Sequence, residues 1–568
     1  MGDNNKRTAI DPEKLAQLLD QLAPETTDEE KFASLLVLSR TVDPKDKVQM
    51  DQLFARLNFR FLDRLLKQGI KKIKMSEKEG EVLPKDSMVA IAVNILAPFF
   101  YQEQRCGSDV LLARLPLLAA NLNCKEEGVA CAILRCCLIS STASRGAQAI
   151  ATAKIPSTNR SILQHILDEF QKERLASKAE ESEFLTLSLQ IFEKVGVTLL
   201  RSSISEPSKL SECLIEFLVH FIQNIHDSID KLQFKLVEIL VVWYDAPTVQ
   251  SIIPGELVPK DAWMKLHAGL QKLLQAPSRS APRAKALQLC SLLTRHYGFG
   301  WLVIQSGSFP SLLLRLAATE IRVGLEEVDL STNGDMDLLM SGLELLTHTT
   351  QFLASQPEEP GVTTFTIPSL DQVGLADANM AQVLLWLRET NKDCLYFLAD
   401  QKKEENPLLL VVLQSVCIYL AEDPGLFEEA DSRPLPLIPL FGFLAWCFSR
   451  AGSIESVDSL GLVSPHGARA ILQACECGGE SADAVLDFAS DFVAGLMKHI
   501  SHILGQAYFT VTYASVTPFL PEILPSLRAI ASIVELSQKD VFPDPKSKTV
   551  FSTIYKAAQA ILGEDGLL

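Results

Sequence analysis

The chain has 568 residues, too many for one compact core, so it is either several domains or a quasi-linear stack of repeats. Apolar residues make up 47% and charged residues 22%, a balance that excludes an intrinsically disordered chain. The formal net charge of −17 disfavours nucleic acid and anionic bilayers as main partners, since both are bound through a surplus of Lys and Arg.

The first residues, MGDNNKRTAI, are polar and lack the apolar core of a signal peptide. Lys6 stands where a myristoylation pattern needs Ser or Thr. Thr27, Asp28, Glu29 and Glu30 suit a helix start, and Phe32, Leu35, Leu36 and Leu38 follow as its apolar face. Residues 71–86 read as a lysine-rich loop. Leu111, Leu112, Leu115, Leu118 and Leu122 keep helical spacing, with Pro116 at the entry to their second half. The charged run 173–183 has the spacing of a solvated helix that continues through it. Leu232, Leu236, Ile239, Leu240 and Trp243 make one clean apolar stripe.

Residues 290–327 carry two helix-length patterns around a corner of Gly298, Gly300 and Gly307, with Trp301 at the turn. Leu292, Leu293 and His296 share a face before it; Leu312, Leu313, Leu316, Thr319, Ile321 and Val323 form the expected stripe after it. Beyond residue 350 the segments 355–379, 422–436 and 452–482 are rich in Pro, Gly, Ser and acidic residues and read as loops. The best strand candidate, TTFTI at 363–367, falls in the first of them. The uncharged runs 407–420 and 435–448 are too short to span a bilayer, which takes about 20 residues, and are expected as buried helices.

Helical spacing almost everywhere predicts an all-α fold, an armadillo/HEAT-like α-solenoid of degenerate helical hairpins with no fixed sequence period. Residues 1–350 are expected as the N-terminal helical-repeat region, and 351–568 as a helical region with longer loops, continuous with the same solenoid.

No catalytic, cofactor-binding or metal-binding residue is predicted. The P-loop, Gly-x-Ser-x-Gly, His-Glu-x-x-His and kinase patterns are missing from the sequence. Asp329, Ser331, Asn333, Gly334, Asp335 and Asp337 match the early positions of a calcium loop, but Met340 stands where a bidentate Glu is required, so an inter-helix loop is expected. Cys475 and Cys477, in an expected loop with His466 upstream, lack the paired spacing of a zinc site. Cys131, Cys136 and Cys137 read as small core residues, and the twelve cysteines as free thiols of a reducing compartment, which places the chain in the cytosol. His499 and His502 share a helix face without a supporting carboxylate or thiol, so a packing or surface role is expected.

Several segments resemble the neurochondrin family in order. They are EEKFASLLVLSRTV (29–42), NFRFLDRLL (58–66), LLARLPLLAANL (111–122), STASRGAQAI (141–150) with its Arg145-Gly146 corner, DKLQFKLVEIL (230–240) and LHAGLQKLL (266–274). The series ends in the Gly-x-x-Trp corner at Trp301 and the pattern Glu320, Arg322, Leu325, Glu326 and Glu327. The resemblance covers about the first 330 residues and is faint afterwards. It implies a non-enzymatic cytosolic armadillo-like scaffold acting in signal transduction through protein contacts. In the family these contacts serve neurite outgrowth, restraint of calcium/calmodulin-dependent kinase phosphorylation, and binding to receptor cytoplasmic tails and endosomal proteins. Peripheral membrane association belongs to the same implication, but the family's anchoring cysteines near the N-terminus have no counterpart before Cys106.

The alternative is an importin-like or vesicle-trafficking adaptor, which an acidic solenoid would suit through basic cargo. That class uses a regular ladder of groove Trp and Asn residues, and the five tryptophans are not regularly spaced. An enzyme built on the solenoid needs convergent polar groups that the sequence lacks. Trp301, Arg145 and Arg322 stand out, with a corner plug expected for the first and ion pairs or carbonyl caps for the arginines.

Overall fold

A computed structural model describes residues 12–562 apart from 24, 44–45, 71–84, 103, 177–181, 202–206, 228–230, 279, 303–308, 329–335, 356–377, 403–405, 428–434, 451–456, 505–515 and 538–539. The described residues are helical almost throughout, and the one β-type contact among them is an isolated bridge between Lys154 and Ser161. The fold is all-α and built of stacked helical hairpins. The chain divides into two compact units, residues 1–269 and 270–568.

The first unit opens with α1 (Pro12–Asp20), α2 (Asp28–Thr41), α3 (Lys47–Arg56), α4 (Phe59–Ile70) and α5 (Lys85–Phe100). It continues through α6 (Asp109–Leu112), α7 (Leu115–Ala119), α8 (Val129–Ser140), α9 (Ser144–Thr152) and α10 (Ile162–Ala176). Next come α11 (Glu183–Arg201), α12 (Pro207–Asp227), α13 (Lys231–Tyr244) and α14 (Val249–Ile252), and α15 (Lys260–Leu274) carries the chain past residue 269. Helices α2, α5, α8, α11 and α13 pack in succession as one layer, while α4, α7, α10 and α12 follow one another in a second. Each hairpin therefore buries its stripe against the next, as a helical stack requires.

Local chemistry sets these elements. Thr27 caps α2 in a full capping box, its hydroxyl accepting from the Glu30 N–H while the Glu30 carboxylate accepts from the Thr27 N–H at 2.9 Å. Leu35 and Leu38 of the expected face are buried, whereas Phe32 and Leu36 are half-buried at its flank. The leucines 111–122 split into α6 and α7, with Pro116 in the first turn of α7. On α13, Leu236, Ile239, Leu240 and Trp243 are buried as their spacing predicts. The Trp243 indole packs against α11 at Gly196, where a built Cβ would fall 1.8 Å from the ring. Phe170, Phe192, Phe217 and Phe221 extend this contact into an aromatic cluster.

The second unit contains α16 (Ala281–Tyr297), α17 (Phe309–Glu327), α18 (Met336–Ala354), α19 (Ala378–Asp400), α20 (Pro407–Glu422) and α21 (Leu437–Arg450). Helices α22 (Val457–Cys477), α23 (Gly479–Leu486) and α24 (Ala489–Leu504) follow, then helices Leu520–Ser537 and Pro545–Leu562. One layer runs α16, α18, α20, α22 and Leu520–Ser537; another runs α17, α19, α21 and α24. The two uncharged runs are helices α20 and α21, and no helix among the described residues is long and apolar enough to cross a membrane.

Two expectations need correction. Residues 457–477 and 479–482 of the expected loop 452–482 are helical. Glycine misleads there because Gly467 serves a close approach, its built Cβ 2.9 Å from Leu444, while only Gly478 and Gly479 take left-handed φ values and break the helix. The buried face of α17 is also rotated from the expected stripe. Leu313, Leu314, Ala317, Ala318, Ile321, Gly324 and Leu325 point inward, and Leu312, Leu316 and Val323 are only half-buried. Small residues let α17 approach α18 closely, with Gly324 against Leu339, so size rather than hydrophobicity selects the face. Of the charged run 173–183, residues 173–176 belong to α10 and Glu183 opens α11, while 177–181 lie outside the described residues. The lysine-rich loop before Lys85 and the TTFTI segment lie outside the described residues.

Candidate functional site: a cleft in the first unit

Between α2, α3, α5 and α8 the first unit holds a cleft of about 310 Å³. Its floor is apolar and buried: Leu38 and Val42 from the end of α2, Met50 and Leu53 from α3, and Ile95 and Ala97 from α5. Its rim is polar, with Ser39, Asn94, Tyr101 and Arg135. Arg135 is the only charged side chain among the described residues that line it.

The wall formed by α3 is held by an aromatic buttress. Phe54 meets Phe59 at 5.2 Å and Phe99 at 5.1 Å, both edge-on, and the Arg105 guanidinium sits 4.3 Å above the Phe54 ring. Arg105 also pairs with Asp51 and donates to the Met50 carbonyl, which fixes the residue beside the cleft floor. On the opposite wall, Pro98 lies inside α5 and carries no N–H. The Asn94 carbonyl, one turn earlier, therefore has no N–H of residue 98 to accept from.

Arg135 projects from α8 and pairs with Glu183 at the start of α11, with both side chains about half exposed. Burial pushes the nearby Tyr101 phenol above its ordinary value; Cys136 adds to this and Arg135 opposes it. The Ser39 hydroxyl donates to the Leu36 carbonyl at 2.8 Å, so it is tied to its own helix rather than to a general base. The cleft thus offers an apolar floor, peptide-like donors and acceptors, and one cation.

The residues singled out by sequence lie elsewhere and serve packing. Trp301, 2% exposed, stacks edge-on against Phe309 and donates its indole N–H to Thr294 at 3.2 Å. Glu320, buried on α17, accepts from Arg283 of α16 at 2.7 Å and from Ser278 at 2.8 Å. Arg322 pairs with Asp393 of α19, and Arg145, in the first turn of α9 rather than at a helix C-terminus, pairs with Asp109 of α6. The family-like Glu320-x-Arg322 pattern is therefore a pair of ties from α17 to its two neighbours. Arg64 makes a similar tie, bidentate to Asp28 of α2.

The metal near-misses separate in space or fall outside the described residues. Asp329 to Asp335 lie outside them, and Asp337 and Met340 belong to α18. Cys475 and Cys477 sit at the end of α22, not in a loop, and His466 lies on the same helix about 14 Å from Cys475 along its axis. Burial pushes the Cys475 thiol up to about 12, and burial together with Arg469 holds His466 down at about 4. His499 on α24 meets the Ser526 hydroxyl at 3.1 Å and is held at about 4 by burial and by His502. Among the described residues no group of three or more His, Cys, Asp or Glu is placed to hold a metal ion. All twelve cysteines are free, and Cys136 and Cys137 are both buried, with burial raising the latter to about 12. Such thiols are protonated and unreactive near neutral pH.

Two layers of stacked helices with a cleft opening on one of them define an α-helical repeat protein. A family model described as Neurochondrin matches residues 10–438, more than half of the sequence, and the chain belongs to the neurochondrin family. It is 21% identical to Neurochondrin from Homo sapiens and from Bos taurus over 433 residues, 75% of this chain and 53% of each relative. Neurochondrin from Rattus norvegicus is 23% identical over the same length and shares. The chain spans about half the length of the curated relatives it matches. A chain from a homology model of the full-length AP-3 complex in an intermediate open conformation aligns with 97% of this chain and 93% of its own. Its identity is 12% and its TM-score 0.28, too low to carry an argument.

Proposed function

We propose that the chain is a non-enzymatic cytosolic scaffold that acts in signal transduction by holding other proteins against its helical repeats. The observation that carries this reading is the cleft of the first unit. Its rim groups suit recognition of a peptide, while its one hydroxyl of nucleophilic type, on Ser39, is bonded to a helix carbonyl. Family membership supports partners of the kind the resemblance implies: signalling kinases, receptor cytoplasmic tails and endosomal proteins. Stacked repeats acquire extended binding surfaces from the stacking itself, so the function requires no catalytic group.

The test is affinity purification of the tagged chain from its own cells, followed by mass spectrometry, beside an Ala132→Trp variant that fills the cleft. Ala132 is a half-buried rim position, so the larger ring can project into the cleft without entering the core. Capture of signalling or endosomal proteins by the wild type, lost in the variant, is the expected result. Recovery of basic cargo with a nucleotide-sensing GTPase would move the function to a transport adaptor, and capture unchanged by the variant would remove the cleft from the account.

A further inference from the structure

We propose that the cleft takes an extended peptide bearing an aliphatic side chain next to an aspartate or glutamate. This deepens the scaffold reading and rests on it. The volume of about 310 Å³ lies at the low end of the roughly 300–1,000 Å³ typical of ligand clefts, a size for one or two side chains rather than a folded domain. Met50, Leu53 and Ile95 line the floor with side chains that offer no donor, so an aliphatic group suits it better than a polar one.

The rim of α5 suits a peptide main chain beside that anchor. The Asn94 side chain is exposed there and offers both a donor and an acceptor.

The acidic neighbour follows from charge. Arg135 is the only cation among the described residues lining the cleft, and its guanidinium already receives one carboxylate, that of Glu183. That pair is half exposed on both sides, the setting in which an ion pair contributes only about 0–1 kcal/mol and exchanges readily. A guanidinium has five N–H donors, so a ligand carboxylate can share Arg135 with Glu183 or displace it. The net charge of −17 repels acidic peptides at long range. Selectivity for them must therefore come from the contact at Arg135 rather than from steering.

Fluorescence anisotropy on the full chain tests this with short labelled peptides carrying Leu beside Glu, and with the Glu replaced by Gln or Lys. The Glu peptide should bind about tenfold more tightly than either replacement, the size of one charge-assisted hydrogen bond. Arg135→Gln should remove that difference, and Glu183→Gln, by removing the internal competitor, should strengthen the Glu peptide a few-fold. A gain of affinity cannot come from loss of fold. Equal binding of the three peptides, preference for Lys, no binding, or weakening by Glu183→Gln would overturn the proposal. So would dimerisation of the chain that Ala132→Trp blocks, which would assign the cleft to a second copy. If no peptide binds while Ala132→Trp still abolishes partner capture, the acidic-peptide assignment falls and the scaffold reading stands.

Discussion

Two arginine–carboxylate pairs, one in each unit, differ in how far they are buried. In the second unit, Glu320 is 1% exposed against Arg283, and Glu344 of α18 likewise accepts from Ser291 and Arg295 of α16, each at 2.5 Å. In the first, the pair at the cleft rim stays open, with Arg135 and Glu183 each about half exposed, while Arg105 beside the cleft floor is largely buried in its pair with Asp51. A buried carboxylate whose lone pairs are filled by its own fold has nothing left for a ligand. A half-exposed guanidinium does. The family-like charged pattern on α17 and the candidate binding charge on α8 are thus different kinds of residue, although both are arginine–carboxylate pairs.

The largest expected effect comes from breaking the buried pair. Glu320→Ala leaves Arg283 uncompensated between α16 and α17 and should cost about 3–5 kcal/mol in chemical denaturation. A loss below about 1 kcal/mol would erase the distinction between the units.

Acid should expose the second unit's other carboxylate. Burial raises the Glu344 pKa, but the His348 imidazole 3.8 Å away, the hydrogen bond from Ser291 and the charge of Arg295 outweigh it and hold the group at about 2. A folded-state pKa below the unfolded value of 4.5 means stability that is full above about pH 4.5 and is lost as pH falls toward 2. At about 1.4 kcal/mol per pKa unit this amounts to about 3 kcal/mol. Glu344→Gln should accordingly flatten the stability–pH curve between pH 5 and 2 on the order of that amount.

In the first unit the close approach of α11 and α13 is open to test. Gly196→Ala drives a methyl group into the Trp243 indole and should cost about 1–3 kcal/mol, even though alanine favours helix. Melting curves that showed a gain would mean that α11 and α13 have room to separate. The smallest effect is expected at Arg145, whose pair with Asp109 is more than two-thirds exposed on both sides; Arg145→Ala should change stability by less than about 1 kcal/mol.

Much of the fold was legible because helix starts and stripes are local. Thr27 with Glu30, the face around Leu236 and Trp243, and the burial of Trp301 all follow from spacing and side-chain type. What escaped were contacts made by small residues. Gly467 and Gly324 look like breakers in a sequence, yet each lies where a neighbouring leucine presses on its helix. The cleft escaped for a related reason, since Val42, Met50, Asn94 and Arg135 are far apart along the chain and meet only when α2, α3, α5 and α8 stack. One signal was present: a proline one turn after an asparagine inside an apolar helix, Asn94 to Pro98. Nothing in the spacing of Arg135 marked it, because a lone arginine on a helix reads as solvated surface.

Site-specific photo-crosslinking tests the central claim most directly. A crosslinking side chain at position 132 on the cleft rim would be compared with one at exposed position 498 on α24 of the second unit, in cells that express the chain. Partner proteins crosslinked from 132 and not from 498 are the predicted result. Crosslinks from 498 alone, or equally from both, would contradict the assignment of partner binding to the first unit's cleft.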